Sequence, residues 1–238
     1  MDNIYRSEIK YRVRTEEYPS LLNWVRMKSN FKKSFPSRRI FSLYYDDHRY
    51  SNAYSNISGE SRRSKLRWRW YSSDPNETCS FSDAIKRVAS SQGSLNLEEK
   101  SRLNSYSRKI NLCQIKLDAN IDFNQNLEIL NKLTNSHGSN KFFLSRILNP
   151  SAFVSYKREY FFDSSNSIRM TIDTNLLGSD VTKNSLCQPI GRNHYIVEFK
   201  IPSCEDYSGV NFLKDFNFIR VRSSKYIFAH SNIKAYPY

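Results

Sequence analysis

The sequence predicts an α+β fold in which about eight antiparallel strands close into a barrel with helices on its outside. Many segments alternate polar and apolar residues and are rich in aromatic and β-branched side chains, which is typical of strands with one buried face. Shorter stretches between them carry apolar residues at helical spacing. The segments predicted as strands are 5–14, 40–45, 65–71, 81–88, 155–162, 168–174, 195–201 and 218–221.

Three segments carry helix signals, and the third, residues 142–148, is a short one before Asn149 and Pro150. Thr15 can cap a helix whose apolar positions follow the spacing i, i+3, i+4, i+7, namely Tyr18, Leu21, Leu22 and Val25. A second helix is indicated by Leu127, Leu130 and Leu133. The charged stretch 97–108 is compatible with a helix or with irregular structure. Ser-rich pieces between the strands have the composition of surface loops, so the chain is interpreted as a single domain over residues 1–238.

The charge balance indicates an anionic partner. The chain has 37 Lys and Arg residues against 23 Asp and Glu residues, a formal net charge of +14. Such an excess attracts nucleic acid, an anionic membrane surface or phosphorylated molecules. Composition does not choose among them, but no nucleic-acid motif or recognition helix is evident, so specific nucleic-acid binding is not expected.

Several classes of protein are disfavoured by composition. The four cysteines and four histidines are scattered, without the spacing of a disulfide framework or a histidine metal site. The N-terminus is charged and lacks an apolar segment typical of signal peptides. Because no run of about 18 apolar residues occurs, we expect no transmembrane helix and a cytoplasmic location.

Basic residues recur on one face of several predicted strands. Residues i and i+2 of a strand point to the same side, so in segment 65–71 the three basic side chains lie opposite Leu66, Trp68 and Trp70. Each charged face could simply contact water, as in many antiparallel sheets. In a barrel with its aromatic residues packed outward, these charges would instead line the lumen. Like charges in a lumen are costly unless an anion occupies it, and Arg suits phosphate oxygens.

An ordered set of motifs resembles a known family. The motifs are E-I-K-Y at 8–11, S-L-Y-Y-D-D at 42–47, K-L-R-W-R-W at 65–70, S-Y-K-R-E-Y at 155–160, I-R-M-T-I-D at 168–173, V-E-F-K at 197–200 and S-K-Y at 224–226. Together they resemble the VTC domain, the polyphosphate polymerase module of the triphosphate tunnel metalloenzymes. The resemblance extends over roughly residues 4–230. It implies an eight-stranded antiparallel tunnel that transfers the γ-phosphate of ATP to a polyphosphate chain.

The resemblance also implies the site residues. The residues implied in catalysis are Lys10, Arg67, Arg69, Glu198 and Lys200, and those implied in phosphate binding are Lys65, Lys86, Arg158, Arg169 and Lys225. Glu198 would bind a divalent cation, Mn²⁺ or Mg²⁺, with Glu8 as a second candidate ligand. Such a lining suits phosphoryl transfer, which depends mainly on positioning and charge neutralisation. A membrane protein is a further partner that the resemblance suggests, and it would place the domain beside a membrane.

One position departs from the family pattern. The middle strand of the family carries a second E-x-K motif, and the aligned residues here are Ala84, Ile85 and Lys86. A tunnel carboxylate would then be missing. Its absence favours one alternative to the polymerase, a non-catalytic polyphosphate- or nucleotide-binding module. Two others stay open for other reasons: a tunnel triphosphatase or polyphosphatase with the same lining and, ranked last, a nucleic-acid binder, which the net charge alone suggests.

Overall fold

The structure is a computed structural model that describes residues 6–28, 31–104, 106–137, 146–165, 167–181, 187–190, 193–202 and 213–234. Its strands are β1 (Arg6–Arg14), β2 (Phe31–Asp46), β3 (Arg62–Ser72), β4 (Ser94–Leu103), β5 (Tyr106–Lys116), β6 (Asn149–Asp163), β7 (Ile168–Ser179), β8 (Gln188–Pro189), β9 (His194–Pro202) and β10 (Ile219–Arg220). Its helices are α1 (Tyr18–Met27), α2 (Ser51–Ile57), α3 (Phe81–Ser90), α4 (Phe123–His137) and α5 (Lys225–Lys234). Two of the three predicted helices are confirmed as α1 and α4, and residues 142–145 of the third lie outside the described residues.

The strands form one antiparallel sheet in the order β10-β1-β9-β7-β6-β2-β3-β4-β5, with β8 beside β7. The sheet curls around a polar interior and has the tunnel-like form that the sequence predicts. Two details of the prediction are wrong. The sheet contains 10 strands within the described residues rather than eight, and its end strands β10 and β5 are not paired, so the barrel is not closed.

Three apolar clusters hold helices against this sheet. On the outside of β3, the side chains of Leu66, Trp68 and Trp70 pack with α3 and α4. On the outside of β1, β7 and β9, helix α1 packs through Trp24, whose ring lies 6.0 Å from that of Phe199. The third cluster lies on the inner face, where α2 and α5 cover Ile40, Tyr44, Val154 and Tyr156. One part of the interior is therefore filled by apolar side chains, and the remainder is lined by charge.

Residues 81–88 were predicted as a strand, and this prediction is wrong because they belong to α3. Phe81, Ala84, Ile85 and Val88 are all buried, and they fall at i, i+3, i+4 and i+7 of a helix. Ser80 caps this helix, accepting a hydrogen bond from the backbone amide of Asp83. The helical spacing and the serine cap are both present in the sequence.

Residues 97–108 were expected to be helical or irregular, and this expectation is also wrong. Most of them belong to the strands β4 and β5, which pair with each other in antiparallel register. Leu95 and Leu97 are buried in the outer cluster, whereas Asn96 and Glu98 lie on the same face as the basic residues of β3. The strand pattern is hard to recognise because charged side chains of β4 face the lumen. Their charges are neutralised by side chains of other strands rather than by contact with water.

Candidate anion-binding site

The inner face of the sheet carries a ring of charged side chains from six strands. Cross-strand register fixes which residues share this face: Lys65 lies opposite Lys100, Arg67 opposite Glu98 and Tyr44, and Lys10 opposite Glu198. Arg158 lies opposite Asp173, and Lys200 opposite both Glu8 and Arg169. The lumen predicted from the alternation of charges is therefore present.

Side chains meet across the lumen between strands that are far apart in the sheet. Lys100 of β4 donates hydrogen bonds of 2.8 and 3.0 Å to the two carboxylate oxygens of Glu8 on β1. Lys65 of β3 donates to Ser224 Oγ at 2.7 Å, and Lys10 donates to the carbonyl oxygen of Ser223 at 3.3 Å. The segment that leads into α5 thus lies inside the curled sheet and contacts both sides of it.

A first buried cluster surrounds Glu98. Its carboxylate accepts hydrogen bonds from Arg67 at 2.8 and 3.1 Å and from Lys109 at 2.9 Å, and Arg69 lies 3.7 Å away. Burial by itself would raise the pKa of Glu98, but Arg67 and Arg69 lower it to about 2. The charge of this carboxylate is therefore fixed at neutral pH.

A second buried cluster surrounds Asp173. Arg158 binds its carboxylate through two hydrogen bonds of 2.6 and 2.8 Å, and Lys225 forms an ion pair with it at 2.5 Å. Lys225 also lies 4.6 Å from the centre of the Tyr156 ring. Burial opposes ionisation of Asp173, yet Arg158 and Lys225 hold its pKa below the ordinary value. Asp173 therefore joins cations of β6 and α5 in one cluster.

Glu198 and Glu8 lie diagonally on neighbouring strands. Glu198 is 3.4 Å from Lys10 and 3.5 Å from Lys200. Burial would raise the pKa of Glu198, but the surrounding cations Lys10, Arg158 and Lys200 keep it well below the ordinary value. Burial likewise opposes the charge of Glu8, which Lys100 favours and Glu198 disfavours, and the net effect is a lowered pKa. The charge of Glu198 therefore raises the pKa of Glu8, but both carboxylates remain ionised.

Lys65 differs from the other cations of the lumen. Its ammonium donates to Ser224, but no carboxylate of the described chain forms an ion pair with it. Partial burial lowers its pKa, and the neighbouring cations Lys10, Lys100, Arg67 and Arg63 lower it further, to well below the ordinary value. A half-buried ammonium beside four cations is a costly arrangement that a polyanion would relieve.

The structure brings most predicted site residues together. Those that share the lumen are Glu8, Lys10, Lys65, Arg67, Arg69, Arg158, Glu198, Lys200 and Lys225. Arg169 lies beside Lys200 on the same face of the sheet, but its side chain is exposed. It therefore belongs to the margin of the lumen rather than to its buried part.

Lys86 is placed elsewhere, so the prediction that it lines the lumen is wrong. It is exposed on α3, and this helix packs against the outer face of the sheet. A second E-x-K motif, Glu98-Glu99-Lys100, lies on β4, where Glu98 and Lys100 both face the lumen. Because Ala84 lies on a helix outside the lumen, the expected loss of a lumen carboxylate at this position is wrong. The sequence signal that could have corrected it is the E-E-K triplet itself, which follows two leucines at alternate positions.

The donor set fits a divalent cation only if the cation brings other ligands with it. Within the described ranges, no group of three or more His, Cys, Asp and Glu side chains could hold a metal. Glu198 and Glu8 offer carboxylate oxygens on one face, and the contacts of Glu198 with its lysines are long enough to be exchanged. Mg²⁺ and similar ions are commonly held by one or two carboxylates together with phosphate oxygens and water, so these residues fit such an ion.

Comparison with known proteins identifies the family. The sequence profile of the VTC domain matches residues 5–233. The chain belongs to the VTC domain family. This confirms the resemblance read from the motifs. Membership of this family of tunnel enzymes suggests that the protein depends on a divalent metal. A search of curated proteins found no match.

Solved structures support the VTC-type tunnel fold. A protein from Vibrio parahaemolyticus, described as a proposed adenylate cyclase, is 14% identical, covers 94% of this chain and 96% of its own, and has a TM-score of 0.52. The PH1819 protein of Pyrococcus horikoshii is 12% identical, with coverages of 94% and 96% and a TM-score of 0.50. At such identities the likeness concerns the fold. Each helix within the described ranges is too short or too polar to span a bilayer.

Proposed function

We propose that this VTC domain is an ATP-dependent polyphosphate polymerase. The observation that carries the proposal is the state of Lys65, a half-buried ammonium surrounded by Lys10, Lys100, Arg67 and Arg63 with no described carboxylate as its ion-pair partner. Lys10, Lys100 and Arg67 each pair with a carboxylate of the chain, but the charge of Lys65 is left over, and an anion with several charges would neutralise it. A chain of phosphates has this charge, and family membership favours polyphosphate as the product.

The lining supplies what phosphoryl transfer requires. Lys10, Lys65, Arg67, Arg69, Arg158, Lys200 and Lys225 would contact phosphate oxygens and neutralise the charge that spreads over them in the transition state. The ion pairs with Glu98 and Asp173 hold Arg67 and Arg158 in place before the substrate arrives. The lumen is therefore organised in advance, and little rearrangement of its arginines is needed on binding.

In the proposed reaction the terminal phosphate oxygen of the polyphosphate attacks the γ-phosphorus of ATP. The bond between that phosphorus and the β–γ bridging oxygen breaks, and ADP leaves with the electron pair. Glu198, assisted by Glu8, would hold the divalent cation, which supplies charge neutralisation to the phosphates when it is bound. Because these carboxylates provide few ligands, we expect the cation to bind together with the nucleotide.

Two alternatives from the sequence remain as outcomes of the test. A triphosphatase or polyphosphatase would use the same lining with water as the acceptor. The non-catalytic binding module was motivated by the absence of a carboxylate at Ala84, and that motivation is removed by Glu98. Nucleic-acid binding has no support beyond net charge.

The test is incubation of the purified protein with ATP and Mn²⁺, with polyphosphate detected on a gel and free phosphate measured in solution. The variant Glu198→Gln removes the proposed cation ligand and keeps the side-chain size, and Glu128→Gln on α4, where the carboxylate is exposed, is the matched control. We expect long polyphosphate from the wild type and the control, and none from Glu198→Gln.

Free phosphate without polyphosphate would favour the hydrolase. Tight triphosphate binding with neither product would favour the binding module. A Glu198→Gln variant that still makes polyphosphate would contradict the role given to this carboxylate, and a circular dichroism spectrum identical to that of the wild type would exclude misfolding as the cause of any loss.

A further inference from the structure

Three aromatic side chains gather where the inner face of the sheet becomes exposed to solvent. Phe35 on β2 is 58% exposed, Tyr71 at the end of β3 is 43% exposed, and Tyr160 on β6 is half-buried. We call these three residues the aromatic platform. Large exposed apolar side chains are common singly, but a group of them on one face is unusual and often functional.

Register places the platform directly next to the phosphate-binding lining. Tyr160 follows Arg158 by two residues on β6, so both point to the lumen, and Tyr160 lies opposite Phe35. Arg38 lies opposite Arg158, and Tyr71 lies opposite Ile40, which follows Arg38 by two residues. The exposed half of β2, residues 32–38, thus continues from the charged part of the lumen toward solvent.

The contacts within the platform agree with this placement. The rings of Phe35 and Tyr160 lie 5.8 Å apart with an angle of 81° between their planes. Burial raises the pKa of Tyr160, the nearby Tyr71 raises it further, and Arg158 and Arg38 act in the opposite direction. Tyr160 is therefore close to both arginines and to Tyr71. The edge-to-face packing and the exposure of Phe35 leave ring surface open at the margin of the lumen.

A nucleoside triphosphate needs both features in this order. Its phosphates require the cations of the lumen, and its base offers a flat π surface that stacks on aromatic rings. The distance from the triphosphate to the base makes the base project beyond the phosphate-binding residues. Inorganic polyphosphate has no part that would use the platform.

We infer that the aromatic platform of Phe35, Tyr71 and Tyr160 binds the nucleobase of the substrate nucleotide by stacking, while Arg158 and Arg38 hold the adjoining phosphates. The inference rests on the proposed function and adds how the site distinguishes a nucleotide from a bare phosphate chain. Because stacking uses the face of the base rather than its edge, adenine and guanine nucleotides should bind with similar affinity, and pyrimidine nucleotides more weakly.

The experiment compares two ligands, ATP and inorganic triphosphate, each with Mg²⁺, by isothermal titration calorimetry. The variants are Phe35→Ala, the conservative Phe35→Tyr, and Tyr54→Ala, which removes a comparably exposed aromatic side chain from α2. We expect Phe35→Ala to weaken ATP binding about ten-fold and to leave triphosphate binding within about two-fold of the wild type. Phe35→Tyr and Tyr54→Ala should bind both ligands as the wild type does.

The outcomes separate this inference from the proposed function. If Phe35→Ala weakens both ligands equally, the residue has a structural role at the margin, and the inference is wrong. If ATP binding does not change, the base does not contact Phe35, and the inference is again wrong although the anion site stands. If wild-type protein binds neither ligand, the proposed function fails, and the inference fails with it.

Discussion

Arg158 and Lys65 are both half-buried cations of the same lumen, and they differ in their counter-charge. Asp173 binds Arg158 through two hydrogen bonds, and although burial opposes its charge, the pKa of Arg158 is raised well above its ordinary value. Among the described residues, Lys65 donates only to the hydroxyl of Ser224, and burial together with neighbouring cations lowers its pKa. Arg158 therefore has a carboxylate partner, whereas no described carboxylate pairs with Lys65.

This difference distinguishes the charges that stabilise the fold from the charges that are available to bind a ligand. The cluster of Arg158, Asp173 and Lys225 joins β6, β7 and α5, so its charges maintain the shape of the tunnel. The cluster around Lys65 carries excess positive charge, which destabilises the empty protein and favours a polyanion. A site that binds phosphate chains needs both, because an unorganised group of cations would lose affinity in ordering its side chains.

The largest effect is expected from Asp173→Asn. The carboxylate is fully buried, and its loss leaves two buried cations without a partner. We expect the free energy of unfolding to fall by about 3–5 kcal/mol, measured by urea denaturation. The control Asp215→Asn removes a carboxylate that is 77% exposed and should change stability by less than about 0.5 kcal/mol. Equal losses in the two variants would contradict the framework role.

The second prediction concerns acid stability and Glu98. Its pKa falls from the ordinary 4.5 in the unfolded chain to about 2 in the folded protein. A group with a depressed folded pKa stabilises the protein above its unfolded pKa, and this stabilisation is lost as the pH falls toward the folded pKa. At roughly 1.4 kcal/mol per pKa unit, the total is about 3 kcal/mol.

Comparison of wild type with Glu98→Gln isolates this contribution. The difference between their free energies of unfolding should shrink by about 2 kcal/mol between about pH 6 and pH 3, measured by urea denaturation at each pH. A difference that stays constant with pH would show that Glu98 is not held ionised by Arg67 and Arg69.

The third prediction is a substitution that should stabilise the protein rather than destabilise it. Lys65→Met keeps the length of the side chain and removes the uncompensated charge, so we expect the free energy of unfolding to rise by about 1 kcal/mol. Triphosphate affinity should fall about ten-fold because a charged contact is lost. Because the folded pKa of Lys65 is lowered, the wild type should regain stability relative to the variant as the pH rises toward 10.5. Destabilisation by Lys65→Met at neutral pH would contradict the comparison.

The smallest effect is expected from Lys86→Met, and it tests which E-x-K motif belongs to the lumen. Lys86 is exposed on α3, so triphosphate affinity measured by calorimetry should stay within about two-fold of the wild type. Lys100→Met removes a cation that contacts Glu8 across the lumen and should weaken triphosphate about ten-fold. Loss of triphosphate affinity in Lys86→Met but not in Lys100→Met would contradict the assignment of Lys100, rather than Lys86, to the lumen.

The strands with a clear alternation were predictable, and the segments in which charge replaced the apolar pattern were not. In β3 the aromatic and basic residues alternate so regularly that the sequence alone assigns both faces. In β4 the inward residues are Asn96, Glu98 and Lys100, and a charged run of this kind also suits a helix. The prediction for residues 81–88 is wrong for a different reason, because the helical spacing of their apolar residues was taken for a strand pattern.

The family, the basic lining of one sheet face and most of the residues that meet in the lumen could be predicted from the sequence, but Glu98 and Lys100 could not. These features follow from the alternation of residue types within single strands and from short motifs, and each of these is contained in a short stretch of sequence. The pairing of each carboxylate with its cation depends on the folded chain, because ion pairs such as Lys100 with Glu8 join strands that are distant in sequence. The tertiary structure also decided that Lys65 is left without a described counter-ion. That property depends on every neighbour at once, and no single segment contains it.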